Sequence, residues 1–303
     1  MKNKLSYVDV CILKIIAILM VVISHYYRFF EQTSPASGLK SVGFFGASLF
    51  AFISGYLAEV NKDKLKKIGY RWLIKKIYGV VIPYLIVNIL SVYLYNSWKN
   101  IFAQIFLGSN DGVLWYVPFI VLFYIIYYFV VSNDLPLRSL FYLGVVIYIL
   151  LQRCGIDSQW YTSIGALLLG IYLAKIKESK LRYALLFGIL LVVSTVLSVK
   201  MQNNMIVKCL FITLAGIGFC GGMYISIMNM PTIDGDGQGF NYRISIISAS
   251  MYWIYLVHMK VGYVLDMIGN ISVVNYVVYT IGISFIANIL YMTIINRIGK
   301  IKR

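Results

Sequence analysis

The sequence predicts an all-α, polytopic integral membrane protein with about ten transmembrane helices. Of the 303 residues, 60% are hydrophobic and only 13% are charged, and the mean hydropathy is +0.81. A soluble domain is about 45–50% apolar and about 25% charged, so this chain could not cover itself with polar groups in water. Apolar stretches long enough to cross a bilayer also recur along the whole chain. These observations exclude a soluble enzyme domain and a disordered chain.

Ten apolar stretches reach or approach the roughly 20 residues that cross a bilayer. Short loops separate them, without a linker or a change in composition, which predicts a single transmembrane domain over residues 1–303 and no appended soluble domain. The fifth and sixth stretches are short. In chain order the predicted helices are 10–30, 42–59, 77–97, 112–131, 139–152, 160–174, 183–199, 206–228, 244–265 and 273–295.

The distribution of positive charge predicts the orientation. The net charge is +16, but Lys and Arg form short clusters between apolar runs instead of a continuous basic face, which argues against a nucleic-acid partner. With the N-terminus inside, most of the 27 Lys and Arg fall in inner segments, and both termini are then expected in the cytoplasm of a multi-pass protein of the cell (inner or plasma) membrane. The inner segments are the N-terminus, 60–76, 132–138, 175–182, 229–243 and the C-terminus, and the outer loops hold Lys40, Lys99, Arg153, Lys200 and Lys208.

The two histidines of the chain, His25 and His258, both fall inside predicted helices. An ionisable group at membrane depth is costly and is by default a functional candidate. Each histidine lies about 15 residues into a helix that runs outward, so both are expected at one depth, where they could line one cavity. The structural alternative is a neutral histidine that hydrogen bonds between helices. No Cys or His pair has metal-ligand spacing, so no metal site is expected.

Lys14 lies eleven residues before His25. Eleven residues at 100° each end about 20° from whole helical turns, so both side chains point the same way, about 16.5 Å apart along the axis. A long ligand with an anionic head could therefore bind Lys14 and place its reactive end near His25. The alternative is that Lys14 reaches to the inner lipid headgroups.

Residues 7–9 (Tyr-Val-Asp), followed by Lys14 and then His25, resemble the opening of the membrane acyltransferase 3 family, where Arg is common at the position of Lys14. Five further matches occur in the order of the family and extend the resemblance from about residue 5 to 260. They are 52–57 for F-x-S-G-[FY]-L, the basic run Arg71, Lys75 and Lys76 before Pro83-Tyr84, 114–117 for L-W-[FY]-L, Leu169-Gly170, and 254–258 for I-Y-L-x-H.

The resemblance implies transfer of an acyl group, usually acetyl from acetyl-CoA, to a hydroxyl of a cell-surface or capsular polysaccharide or of its lipid-linked precursor. His25 would then take the hydroxyl proton or carry the acyl group itself. Lys14, Arg71, Lys75 and Lys76 would bind the phosphates of the donor. The acceptor or pocket-lining residues would be Ser54, Tyr56, Trp115, Tyr116 and His258.

Acetyl-CoA is expected as a donor substrate, with no bound cofactor, and membrane lipids and polysaccharide-biosynthesis proteins are the expected partners. Each pattern also has a structural interpretation: a positive-inside loop for the basic run, close helix packing for Ser54-Gly55, and an interfacial anchor for Trp115-Tyr116. The alternative function is a transporter or flippase of glycan intermediates. It predicts charged pairs at mid-membrane and an inverted repeat, and the sequence shows no repeat and almost no mid-membrane acids.

Overall fold

The computed structural model describes residues 2, 4–33, 35–95, 113–176, 182–231 and 238–301, and this part of the chain is helical without a strand. Two 3₁₀ segments, Pro35–Ser41 and Val113–Trp115, accompany the α-helices. The α-helices are α1 (Tyr7–Phe29), α2 (Gly43–Val60), α3 (Lys62–Ile68), α4 (Tyr70–Tyr95), α5 (Tyr116–Ser132), α6 (Arg138–Arg153), α7 (Gln159–Thr162), α8 (Ile164–Leu173), α9 (Arg182–Lys200), α10 (Met205–Asn229), α11 (Gln238–Met267) and α12 (Val273–Ile301).

The helical membrane class is confirmed. Among the described residues, eight helices are long and apolar enough to cross a membrane, namely α1, α2, α4, α5, α9, α10, α11 and α12. The fifth predicted span corresponds to α6, which has 16 residues, and the sixth corresponds to α7 and α8, with 4 and 10 residues. These are shorter than the roughly 20 residues that a bilayer core of about 30 Å requires.

The third predicted span begins earlier than the hydropathy indicated. We expected it over 77–97, but α4 begins at Tyr70, and the expected end lies outside the described residues. The basic run before Pro83 is therefore helical and not a loop. Lys and Arg are good helix formers, so their charge lowers the hydropathy of the segment without ending the helix.

A capping box determines where α1 begins and so where His25 lies along the bundle. The Ser6 hydroxyl accepts a hydrogen bond from the Asp9 amide at 3.1 Å, and the Asp9 carboxylate accepts one from the Ser6 amide at 2.8 Å. Lys2 Nζ lies 2.6 Å from Asp9 Oδ1, and both side chains are buried. The Asp of the opening motif is thus the N3 residue of the first helix.

Several predicted inner segments meet at one end of the bundle. Lys66 of α3 pairs with Asp134 in the α5–α6 loop, which raises the pKa of Lys66 and lowers that of Asp134. Lys175 after α8 lies 4.0 Å from Glu59 near the end of α2. Lys2 donates to the carbonyl oxygen of Ile227 near the end of α10. The assignment of this end to the cytoplasm still comes from the Lys and Arg distribution.

Two motif glycines bring α2 and α8 into backbone contact. A Cβ at Gly55 would lie 2.2 Å from the carbonyl oxygen of Leu167, and a Cβ at Gly170 would lie 2.1 Å from that of Phe52. No side chain fits at either position, so the two helices approach as closely as small residues allow in membrane helices. The packing interpretation of Ser54-Gly55 therefore holds for Gly55.

Candidate active site

The two histidines lie in direct contact between α1 and α11. His25 Nδ1 is 2.7 Å from His258 Nε2, so the prediction that they lie at one depth is confirmed. The ring centroids are 4.9 Å apart and the ring planes differ by 9°. With a nitrogen–nitrogen distance of 2.7 Å, these values describe two nearly coplanar rings that meet edge to edge. This is the geometry that a ring N–H and a ring lone pair require for a hydrogen bond.

The backbone determines which ring nitrogens carry protons. His258 Nδ1 lies 2.7 Å from the carbonyl oxygen of Tyr255 and 3.2 Å from that of Ile254. A carbonyl oxygen only accepts, so His258 Nδ1 donates, and Nε2 of a neutral His258 bears the lone pair. His25 Nδ1–H then donates to His258 Nε2. Nε2 of His25 is left as the basic nitrogen of a neutral pair.

His25 also lines a cavity of about 610 Å³, whereas His258 has 0% exposure and lies behind it. Arg28 and Phe29 at the end of α1 border the same cavity, as do Lys40 and Asp157, which are exposed. The cavity therefore lies at the end of the bundle opposite the N-terminus. The structural interpretation, a histidine that hydrogen bonds between helices, fits His258, but His25 additionally faces a space that a ligand can enter.

Trp115 and Tyr116 form part of the cavity wall. Trp115 is 7% exposed and packs against Phe119 and Trp160, so it does not have the exposed position of an interfacial anchor. Tyr255 ties this segment to α11, because its hydroxyl donates to the carbonyl oxygen of Val113 at 2.7 Å and accepts from the Tyr116 amide at 3.3 Å.

Tyr116 also connects the cavity with the inner half of the bundle. Its hydroxyl lies 3.0 Å from the Ser54 hydroxyl. Helices α1 and α2 run antiparallel, since a Cβ at Gly43 would meet Ser24 and one at Gly46 would meet Ala17. That register places Ser54 within about one helical turn of the depth of Lys14. Ser54 thus lies near the depth of Lys14, contacts a residue of the cavity wall through its hydroxyl, and does not line the cavity itself.

Lys14 and Lys76 occupy the inner region. Lys14 Nζ donates to the Ser248 hydroxyl of α11 at 2.9 Å, and Ser248 is buried. Lys76 Nζ lies 5.6 Å from the ring centroids of both Trp72 and Tyr124, which is a cation–π distance. Four residues further along each helix, the Tyr252 hydroxyl of α11 donates to the carbonyl oxygen of Val80 in α4 at 2.7 Å, so Lys76 lies at the depth of Ser248, the partner of Lys14.

The structure separates the other candidates from these two lysines. Arg71 and Lys75 are exposed and lie on the other face of α4, one helical turn apart. Tyr56 is buried at the N-terminal end, where its hydroxyl accepts from the Leu5 amide at 2.9 Å, and it does not border the cavity. Its contact is to the segment that leads into α1.

Sequence reasoning missed three residues that the geometry brings to the site. Tyr255 and Ser248 reach it from α11, and Arg28 follows His25 by three residues. The sequence could have indicated Tyr255, because it precedes His258 by three residues and helical residues with that spacing share a face. The sequence could have indicated Arg28 as well, since it is a charged residue inside an apolar helix. No sequence pattern indicated Ser248.

Comparisons with known proteins give the family of the chain. The chain matches no curated relative and no solved structure. A family model described as an acyltransferase domain, that of the acyltransferase 3 family, matches residues 6–294. The match spans both histidines, both inner lysines and every helix that forms the cavity, so this chain belongs to the acyltransferase 3 family and is a membrane acyltransferase.

Proposed function

We propose that the protein transfers an acetyl group from acetyl-CoA to a hydroxyl of a cell-surface or capsular polysaccharide, or of its lipid-linked precursor. The observation that carries this proposal is the coupled pair His25–His258, with His25 on the wall of a cavity large enough for sugar units. A sugar hydroxyl is a poor nucleophile at neutral pH, and an oriented neutral imidazole is the group that activates it.

The chemistry follows from the basic Nε2 of His25. In one route the hydroxyl oxygen attacks the thioester carbon, His25 takes the hydroxyl proton, the C–S bond breaks, and the proton passes to the CoA thiolate. In the other route Nε2 attacks the thioester carbon, the C–S bond breaks and CoA leaves as the thiolate; the acyl-imidazolium then passes its acyl group to the hydroxyl, whose proton goes to the thiolate. Both routes need the same tautomer, which His258 sets through the carbonyl oxygen of Tyr255.

The donor is proposed to enter from the inner end. Lys14 and Lys76 supply positive charge there, and the phosphates of CoA are strongly anionic. Lys14 and His25 lie on one face of α1 about 16.5 Å apart, a separation that an extended pantetheine arm can cover. Arg71 and Lys75 lie at the same inner end but on the exposed face of α4. They are expected to attract the anionic donor to the membrane surface.

The test of the function is the acetylation state of surface glycans. Mass spectrometry of glycans from a deletion strain is expected to show loss of acetyl groups, and re-expression of the gene should restore them. Glycans that keep their acetyl groups but accumulate inside the cell would overturn the proposal and favour the flippase.

His25 provides the matching mutational test. His25→Ala is expected to reduce transfer by about 10²–10⁴-fold, the usual worth of a general base, with near-normal abundance in the membrane. Transfer is measured with labelled acetyl-CoA in inside-out vesicles. A variant that keeps most of its activity would remove His25 from the chemistry. Rapid quenching without an acyl acceptor separates the routes, because only the carrier route leaves an acetyl group on His25.

A further inference from the structure

The cavity in front of His25 carries an excess of positive charge. Its described lining residues include three cations, Arg28, Lys40 and Lys208, and one acid, Asp157. A cavity that binds neutral glycans needs hydroxyl, amide and aromatic groups. It does not need three cations, because a neutral glycan has no negative charge for them to bind. The inner lysines assigned to the donor lie at the other depth of the bundle, so these three cations form a second basic site.

The fold itself makes little use of these charges. The ion pairs among the described residues are Lys2–Asp9, Lys66–Asp134 and Lys175–Glu59, and none includes a cation of the cavity. Outer loops of membrane proteins are poor in Lys and Arg, yet Lys40 and Lys208 both lie at this cavity.

Each cation is placed beside the cavity by local structure. The Lys40 carbonyl oxygen accepts from the Ser24 hydroxyl at 2.6 Å, which fastens the 3₁₀ segment to α1 next to His25. Lys208 stands in the first turn of α10, after the Asn204 cap. A cation there is unfavourable to the helix dipole, so Lys208 does not stabilise α10 and instead adds to the positive potential.

Arg28 is the cation best placed to orient a substrate. It follows His25 by three residues, so it lies on the same side of α1 and about 4.5 Å further along the axis. Its guanidinium lies 5.6 Å from the ring centroid of Phe29, another residue of the cavity wall. A planar guanidinium binds a carboxylate or phosphate through two parallel hydrogen bonds and so fixes the orientation of the anion.

We propose that the acyl acceptor is an anionic glycan, which Arg28, Lys40 and Lys208 bind through a carboxylate or phosphate group so that a neighbouring hydroxyl lies at His25. This inference rests on the proposed function, because it specifies the acceptor of that reaction. A carboxylate would come from a uronic acid, and a phosphate from a phosphodiester-linked glycan or a lipid-linked diphosphate. The binding chemistry is the same in each case.

The experiment measures acetyl transfer by the full-length protein to three acyl acceptors of similar size: a neutral oligosaccharide, a uronic-acid oligosaccharide and a phosphodiester-linked oligomer. We expect an anionic acceptor to have the lowest KM, and its KM to rise with ionic strength because salt screens exposed charges. The identity of the better anionic acceptor distinguishes the two sources of charge. The double variant Arg28→Gln/Lys40→Gln should raise that KM about three- to tenfold, as expected for partly exposed charge contacts, and leave the KM for acetyl-CoA unchanged.

Lys200→Gln is the matched control, because Lys200 is an exposed cation at the same end of the bundle and does not line the cavity. It should leave both KM values unchanged. Equal KM values for neutral and anionic acceptors, or a double variant that raises only the KM for acetyl-CoA, would overturn the inference while the acetyltransferase function stands. Failure of the unmodified protein to acetylate any of the three acceptors would instead count against the proposed function.

Discussion

At the scale of single residues, His25 owes its proposed role to a partner that is itself fully buried. A buried imidazole can have either ring nitrogen protonated, and the carbonyl oxygen of Tyr255 removes that ambiguity for His258. His258 passes the constraint to His25 through one 2.7 Å contact. His258 is therefore a positioning residue in this proposal, comparable to the groups that orient metal-binding or catalytic histidines elsewhere.

Substitution of His258 by Gln and by Leu should separate positioning from packing. Gln can accept from His25 Nδ1–H through its amide oxygen, whereas Leu fills space without accepting. His258→Leu should lower kcat by about tenfold or more, since it leaves a buried donor without its partner, and His258→Gln should recover part of that loss. KM for acetyl-CoA should stay constant in both.

Two outcomes would contradict the positioning role of His258. Equal activity of the Gln and Leu variants would show that the hydrogen bond to His25 does not matter. Complete loss in both, with normal abundance, would place His258 in the chemistry itself.

Lys14 and Lys76 should differ from Arg71 and Lys75 in their effect on donor binding. Lys14→Ala and Lys76→Ala are expected to raise KM for acetyl-CoA more than they lower kcat, because contacts to the CoA phosphates act equally in the ground and transition states. Lys14→Arg should be tolerated, because guanidinium can bind a phosphate through two hydrogen bonds. Initial rates against acetyl-CoA concentration in inside-out vesicles provide the measurement.

Lys75→Ala is the matched control for Lys76→Ala, since the two lysines are adjacent in the chain and only Lys76 lies over Trp72 and Tyr124. A smaller effect of Lys75→Ala is expected. Loss of kcat with an unchanged KM in Lys14→Ala would assign Lys14 to the chemistry or the fold and would contradict its proposed role in binding the CoA phosphates.

At the scale of helices, the crossing of α2 and α8 gives the glycines of two short motifs a structural role. Gly55 and Gly170 each face the backbone of the other helix at a distance that excludes any side chain. Ser54 lies next to Gly55, so the close crossing also determines where its hydroxyl meets that of Tyr116.

Gly170→Ala should lower the thermal stability of the protein in detergent. The new methyl group would lie 2.1 Å from the carbonyl oxygen of Phe52, so the helices must separate, and overpacking of this kind costs about 1–3 kcal/mol. Gly188→Ala in α9 is the matched control. Nothing lies within 4 Å of a Cβ there, so the change should be neutral or slightly stabilising through helix propensity. Equal melting temperatures for the two variants would refute the close crossing.

At the scale of the whole molecule, the proposed function places the recognition of its two substrates at opposite ends of the bundle. The inner end presents Lys14 and Lys76, and the other end presents the cavity with His25. Tyr116 and Ser54 connect the two depths through their hydroxyls. The arrangement suits an enzyme that takes its donor from one side of the membrane and acylates a glycan that reaches it from the other.

Cysteine labelling tests this orientation. Lys64 on α3 and Cys154 after α6 are both exposed, and the Lys and Arg distribution places them on opposite sides of the membrane. In intact cells an impermeant thiol reagent should label Cys154 but should not label a Lys64→Cys/Cys154→Ser variant. Cys11, Cys209 and Cys220 are buried and should contribute little background. Labelling of the cysteine at position 64 from outside would reverse the predicted orientation of the protein in the membrane.

The sequence alone was sufficient for the class of protein and the positions of most helices. Hydrophobicity is a property of local composition, so the long apolar runs indicated the spans, and the regular 100° step of a helix placed Lys14 and His25 on one face. The start of α4 was missed because charged residues lower hydropathy without breaking a helix. The family motifs are also local, and their residues alone indicate an acyltransferase.

Only the tertiary structure decided how these pieces meet. The contact between His25 and His258 joins residues 233 positions apart, and local pattern carries no information on such a pair beyond equal depth. The same holds for Ser248 beside Lys14, for the hydroxyl pair of Tyr116 and Ser54, and for the three cations that converge on the cavity from α1, the 3₁₀ segment and α10. In a bilayer the hydrophobic effect places apolar segments in the membrane but does not choose their neighbours. That choice depends on close packing at small residues and on buried hydrogen bonds, which exist only in the assembled bundle.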